Sequence, residues 1–120
     1  MPTPKESLSL ADRLSRHREL VISVKGRKSG RAISIPVWFV ADDEKLYLLP
    51  ARGSDTQWYK NVLENPSIGI DTGGAKVELK AAPVTLAKQV SFVIEKFRAK
   101  YGDSGFKLYA KLDVAVTAKT

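Results

Sequence analysis

The segment that decides the fold is Lys25-Gly26-Arg27-Lys28-Ser29-Gly30-Arg31, which lies between two apolar runs, residues 20–24 and 33–40. Both runs are short and rich in Val and Ile, so each is predicted to be a β-strand. Backbone N–H groups in a turn of this kind can surround an anion, while Arg, Lys and Ser add charge and a hydroxyl donor. Glycine permits left-handed backbone and close approach of a ligand. The pattern therefore indicates an anion-binding turn between two strands.

The same turn has a second interpretation. Basic turns between strands are common as solvated surface features, and this pattern alone leaves that alternative open. The segment is not a Walker P-loop, because no glycine directly precedes Lys28 and a predicted strand follows where that motif needs a helix.

Composition limits the chemistry. The 120 residues are predicted to form one domain, 1–120, in which residues 1–18 are a tail and a short helix. The chain has no cysteine and a single histidine, His17, so we expect no disulfide, no cysteine nucleophile and no metal site. A Ser-His-Asp triad could use only His17, in a polar segment before the first strand.

The net charge of +7 favours an anionic partner: a phosphorylated cofactor, a nucleic acid or an acidic membrane surface. The sequence has no apolar run of the roughly 18–20 residues that a membrane span requires. Charged residues near the N-terminus interrupt any signal-peptide core. We therefore expect a cytoplasmic protein without stable membrane insertion.

Hydrophobic periodicity predicts the order of the elements. It gives a helix at 9–17, strands at 20–24, 33–40 and 45–49, a helix capped by Ser54 and ended before Pro66, two strands joined at Gly73-Gly74, a helix at 87–101 and a strand at 114–116. Pro36 cannot donate to a ladder, so its strand should be an edge, a bulge or an opening. Short connections favour a mainly antiparallel sheet. The prediction is an α+β, mainly β fold of about six strands, curled into a small barrel with flanking helices.

An ordered set of short motifs resembles a known family. The motifs are Gly26-Arg27-Lys28-Ser29-Gly30, Pro36 before Trp38-Phe39, Arg52-Gly53, Trp58-Tyr59-x-Asn61 and Asn65-Pro66. Together they are similar to the deazaflavin (coenzyme F420)-dependent nitroreductase and quinone reductase family. The resemblance implies a split β-barrel, related to pyridoxine-phosphate oxidases and other flavin proteins.

The resemblance also implies a cofactor site. Arg27, Lys28 and Ser29, with Gly30, would bind the cofactor phosphate; Pro36, Val37 and Trp38 would lie along the deazaflavin ring; Arg52 and Gly53 would flank its polar part. For the residues of the predicted helix between Ser54 and Pro66, a role in packing is a simpler expectation than a role in the site. Trp58 and Val62 share one face and should plug the barrel, and Asn61 should hydrogen-bond a neighbouring turn.

The proton that completes a reduction needs a source. Tyr109, or solvent, is the candidate donor, and Tyr101 and Phe106 are candidates for the substrate side of the site. Each of these aromatic residues could equally be part of the core or its rim.

Three functions follow from these observations. The first is transfer of hydride from reduced F420 to a quinone, nitroaromatic compound or activated enone by a monomer or homodimer. The second is a split-barrel protein that holds FMN or another ligand. The third, a basic nucleic-acid-binding barrel, is disfavoured because strand aromatics are few and the cations cluster at turns.

Overall fold

The structure, a computed structural model, describes residues 19–42, 45–71, 76–102, 109 and 111–119. The predicted helix at 9–17, the Gly73-Gly74 turn and Phe106 lie outside these ranges. The described elements are β1 (Leu20–Lys25), β2 (Ala32–Val37), β3 (Phe39–Asp42), β4 (Lys45–Leu48), α1 (Gln57–Glu64), β5 (Ser67–Asp71), β6 (Lys76–Val84), α2 (Ala87–Tyr101) and β7 (Ala115–Lys119). A 3-10 turn, Gly53–Asp55, precedes α1.

The seven described strands form one sheet in the order β2-β1-β5-β6-β7-β4-β3, and every neighbouring pair is antiparallel. The sheet curls into a half-barrel, which confirms the split-barrel prediction. One predicted strand, 33–40, is divided in the structure: β2 ends at Val37, and β3 begins at Phe39. These two strands lie at opposite edges of the sheet although only Trp38 separates them in sequence. Pro36 lies on edge strand β2, where a missing N–H is tolerated.

Two apolar cores use opposite faces of the same strands. Leu46 and Leu48 of β4 point into the barrel, where Trp58, Tyr59 and Val62 of α1 close the interior. Tyr47, between the two leucines, points outward into a second core beneath α2. Because side chains alternate along a strand, the run of buried residues in β4 requires cover on both faces. Burial of a large apolar side chain contributes about 1.5–3 kcal/mol, so this packing fixes both helices on the sheet.

The ends of the two helices test the capping predictions. The bounds predicted for α2 are confirmed, and Gly102 ends it at φ 80° with its N–H donating to the Arg98 carbonyl at 2.9 Å. Ser54 does not cap α1, so that prediction was wrong; the N-cap position belongs to Thr56. Ser54 instead donates to the carboxylate of Asp113, a charged acceptor. Neither described helix is long and apolar enough to cross a membrane.

Candidate cofactor-binding site

A hollow of about 470 Å³ lies beside the break between β2 and β3. Its walls come from residues 35–38, 51–52 and 55–58, together with Glu19, Leu49 and Tyr109. The break places a strand end, a turn and the start of α1 around one space. Among the described strands, β2 lies at an edge of the sheet, so its outer side is not occupied by another of them. The lining is mostly apolar, with Arg52, Glu19 and Asp55 as its charged members. Such a space suits a flat, largely apolar ring with a polar margin.

Trp38 forms the aromatic wall of the hollow, and Tyr101 supports it from behind. The two rings are stacked, with centroids 4.3 Å apart and planes 8° apart. The Tyr101 hydroxyl donates to the Phe39 carbonyl at 2.9 Å and accepts from the Phe39 N–H at 3.1 Å. The last residue of α2 therefore holds both the start of β3 and the tryptophan before it. Tyr101 is buried and does not line the hollow, although it was a candidate for the substrate side.

Tyr109 lines the hollow and meets Trp38 edge-on, with ring centroids 6.3 Å apart and planes at 66°. Burial raises the pKa of Tyr109 well above its ordinary value of 10, and the neighbouring Tyr101 raises it further. The phenol therefore keeps its proton throughout the physiological pH range. A neutral phenol at this wall can donate a hydrogen bond to a bound molecule.

The turn that carries Arg52 and Gly53 is hydrogen-bonded to the segment that precedes β7. Asp113 accepts from the backbone N–H of Ser54 at 2.9 Å and from its hydroxyl at 2.6 Å. The Ser54 hydroxyl bond is the main reason why the pKa of Asp113 lies below its ordinary value. A backbone bridge joins Arg52 to Lys111, and the Arg52 N–H donates to Thr56 Oγ1 at 2.8 Å. Arg52 thus lines the hollow, whereas Gly53 is buried behind it.

The basic turn forms a compact loop next to α1. The N–H of Gly30 donates to the Gly26 carbonyl at 2.8 Å, and the N–H of Gly26 donates to the Arg31 carbonyl at 2.9 Å. Gly30 has φ 70°, the left-handed conformation that glycine tolerates best. Lys28 and Ser29 are exposed, and neither lines the hollow. The side chains of Lys28 and Ser29 are therefore open to solvent.

Arg27 connects this loop to the wall of the hollow. Its guanidinium donates to Asn61 Oδ1 and to Gln57 Oε1, each at 2.8 Å. Gln57 is itself a lining residue. Asn61 was expected to hydrogen-bond a neighbouring turn, and it does so here.

The structure brings part of the predicted site together. Pro36, Val37, Trp38, Arg52 and Tyr109 surround one space. The basic turn does not line that space, although its Arg27 side chain hydrogen-bonds the lining residue Gln57. Phe106 lies outside the described residues.

Sequence reasoning missed the lining residues Glu19, Asp55 and Thr56, for which no local motif gives a signal. Gln57 also lines the hollow, and sequence reasoning gave it no part in the site.

Comparison with known proteins identifies the family. The family described as F420H(2)-dependent quinone reductase matches residues 5–118. The chain belongs to this family. None of the curated proteins compared with the chain matches it.

Solved structures share the fold of this family member at low sequence identity. An F420-H2 dependent reductase (FDR-A) superposes with a TM-score of 0.68 at 17% identity, covering 86% of this chain and 95% of that one. HutZ, the heme storage protein of Vibrio cholerae, superposes with a TM-score of 0.71 at 16% identity, covering 99% of this chain and 90% of that one. A pyridoxamine 5'-phosphate oxidase from Listeria innocua, named as putative, superposes with a TM-score of 0.62 at 11% identity, covering 90% of this chain and 86% of that one. These likenesses establish the split-barrel fold.

Proposed function

We propose that this family member is a reductase that uses reduced F420 to transfer hydride to a quinone, a nitroaromatic compound or an activated enone. The observation that carries the proposal is the hollow at the barrel break, which Trp38 and Tyr109 border on one side and Arg52 on another. Membership of the F420H(2)-dependent quinone reductase family supports the choice of cofactor. We expect the enzyme to act in the cytoplasm, as a monomer or a homodimer.

The side chains of the hollow fit the two chemical parts of such a cofactor. A flat deazaflavin ring would rest along Pro36, Val37 and Trp38, whose apolar surfaces exclude water. Arg52 would bind the polar edge of the ring system, on a turn that Gly53 shapes. The phosphate would bind at the loop of Arg27, Lys28, Ser29 and Gly30, where the Lys28 cation and the Ser29 hydroxyl are exposed. The cofactor of this family carries an acidic oligoglutamate tail, which the +7 charge of the chain would attract from a distance.

Few side chains need to take part in the reaction. Bound reduced F420 would supply the hydride, and the protein would supply orientation and a dry site. Tyr109 is the proposed proton donor, because its ring borders the hollow beside Trp38. Tyr101 would act from behind Trp38, and Phe106 remains a candidate for the substrate side.

The test combines binding and turnover. Purified protein is titrated with F420 and, separately, with FMN, and cofactor fluorescence is followed. Protein with reduced F420 and menadione is then monitored for the return of oxidised-cofactor absorbance. We expect F420 binding at micromolar protein and menadione-dependent oxidation; binding of FMN alone would instead support a flavin-binding split barrel.

A matched pair of charge reversals locates the phosphate site. Lys28→Glu should abolish F420 binding, whereas Lys88→Glu, an equal change at an exposed position on α2, should leave it within about twofold of the wild type. Equal losses in both variants would show that only the overall charge matters.

Nucleic-acid binding is the less favoured alternative. Phe39 and Tyr47 are the aromatic residues on the described strands, and both are buried. Buried rings cannot serve as a stacking platform for bases. Strongly salt-dependent binding of a single-stranded oligonucleotide, without any F420 binding, would reverse this preference.

A further inference from the structure

Arg27 makes more contacts with α1 than a phosphate-binding arginine at a surface turn requires. Its backbone N–H donates to Asn61 Oδ1 at 3.1 Å, and its Nη1 donates to the same oxygen at 2.8 Å. Its Nη2 donates to Gln57 Oε1 at 2.8 Å, and Nη1 also lies 3.5 Å from the Gln57 carbonyl. The side chain therefore spans one full helical turn, from position 57 to position 61.

The acceptor at the centre of this network is buried. Among the polar and charged side chains in the described ranges, Asn61 alone is buried, with 5% exposure. Its neighbours on the helix, Trp58, Tyr59 and Val62, are packed in the barrel core. Asn61 is consequently held in place, and within the part of the chain that the structure describes its Oδ1 accepts two hydrogen bonds, both from Arg27.

We propose that Arg27 is a positioning residue: with Asn61 and Gln57 it holds the basic loop against the mouth of the hollow, and the phosphate is bound by Lys28, Ser29 and Arg31. This inference rests on the proposed F420 site, and it changes the role that the family resemblance implies for Arg27. To bind a phosphate with both Nη atoms, the guanidinium would have to leave Gln57 and Asn61. That movement would remove the shorter of the two hydrogen bonds to the buried Asn61 oxygen and leave it only the backbone N–H of Arg27, which is unfavourable.

The exposed groups of the loop suit the remaining task. Lys28, Ser29 and Arg31 are all exposed. Their backbone is already shaped by the internal hydrogen bonds of Gly26 and Gly30. A loop fixed before the ligand arrives loses less conformational entropy on binding, so the network should increase affinity without contacting the cofactor.

Arginine is specifically required by this geometry. Its planar fork reaches two acceptors that lie one helical turn apart, whereas the ammonium of lysine is a single point charge. Arg27→Lys keeps the charge but cannot hydrogen-bond Gln57 and Asn61 at the same time. Asn61→Leu keeps the size and removes the acceptor without changing any charge. Asn61→Asp keeps an acceptor oxygen facing Arg27 and serves as the conservative rescue.

The experiment measures F420 affinity in the full chain for Arg27→Lys, Asn61→Leu, their double variant and Asn61→Asp. We expect each of the first two to weaken binding about tenfold and the double variant to lose no more than either single change, because all three break one network. Asn61→Asp should bind within about threefold of the wild type. If the guanidinium instead binds phosphate directly, Asn61→Leu releases it for that purpose and will bind F420 as tightly as the wild type; that result would overturn the proposal.

Hydrogen exchange provides a readout without cofactor. The amides of Gly26 and Gly30 should exchange faster in Arg27→Lys and Asn61→Leu than in the wild type, and Lys28→Met should leave them unchanged. Unchanged exchange in Arg27→Lys would refute the positioning role of Arg27 even if Asn61→Leu failed to fold. Because this measurement needs no F420, a wild-type protein that did not bind the cofactor would refute the proposed function, while hydrogen exchange would still test the positioning role of Arg27.

Discussion

Replacing Gly53 by alanine should destabilise the protein much more than replacing Gly30, although both glycines have left-handed backbone. Their φ angles are 55° and 70°. A Cβ atom on Gly30 would meet nothing within 4 Å. A Cβ atom on Gly53 would lie 1.9 Å from Asp113 Oδ1 and 3.0 Å from Lys111 Cγ. The pair therefore separates the backbone cost from the steric cost.

The magnitude follows from the contacts that must break. Left-handed backbone at a residue with a Cβ costs about 1 kcal/mol, and Gly30→Ala should lose only that. Gly53→Ala must also push the Asp113 carboxylate away by more than about 1 Å to restore ordinary contact, which disrupts both of its hydrogen bonds to Ser54. Because the Asp113 side chain is 38% exposed, water compensates in part, and about 1 kcal/mol per bond is appropriate. The expected total is about 3 kcal/mol for Gly53→Ala.

Urea unfolding followed by tryptophan fluorescence measures the difference. The midpoints should shift at an unchanged m-value, and the two substitutions should differ by about 2 kcal/mol. In an Asp113→Ala background the carboxylate is absent, so Gly53→Ala should cost only about 1 kcal/mol there. Equal destabilisation by Gly53→Ala and Gly30→Ala in the wild-type background would refute the steric argument.

Three further changes test the surroundings of the site. The hydrogen bond from Ser54 holds the pKa of Asp113 below its ordinary value of 3.8, so the ionised carboxylate stabilises the fold fully above that pH and loses this effect as the pH falls through the lowered pKa. In urea unfolding between pH 2 and 6, the free energy of unfolding of Asp113→Asn should therefore fall less steeply with acid than that of the wild type. Tyr101→Phe leaves the buried Phe39 N–H without its acceptor and should cost about 1–3 kcal/mol in the same assay, whereas an unchanged stability would show that this bond is replaced. Tyr109→Phe should slow menadione reduction with the Kd for F420 unaltered, and full turnover in this variant would end its role as donor.

Local features of the fold were predictable because neighbouring residues determine them. In β6 the polar residues Lys76, Glu78 and Lys80 are exposed, while Leu79 and Ala81 between and beyond them are buried, as the period of a strand requires. The helix at 87–101 followed from its apolar spacing and from the glycine that ends it. Each of these patterns requires only a period and a stop signal, so tertiary contacts did not override it.

The division of strand 33–40 could not be read from its residues alone. Pro36 indicated an edge, a bulge or an opening, but the distant edges occupied by β2 and β3 depend on pairings with β1 and β4. Those pairings link residues far apart in sequence, and no local signal encodes them. Ser54 shows the same limit, because its partner Asp113 lies 59 positions away.

The candidate site divides in a similar way. The resemblance gathered Pro36, Val37, Trp38 and Arg52, which do line one hollow. It could not show that Arg27 is engaged by Gln57 and Asn61, because a motif records residue types and not their partners.

The position of β7 has a consequence for the order in which the fold can be completed. This strand lies between β6 and β4, and among the described strands it is the one that pairs with both the group β2-β1-β5-β6 and the hairpin β3-β4. A nascent chain still waiting for residues 115–119 to emerge from the ribosome would hold two separate sheet fragments, each with an uncovered edge. The barrel wall can therefore become continuous only after residues 115–119 have left the ribosome, and until then the exposed edges would be open to chaperones.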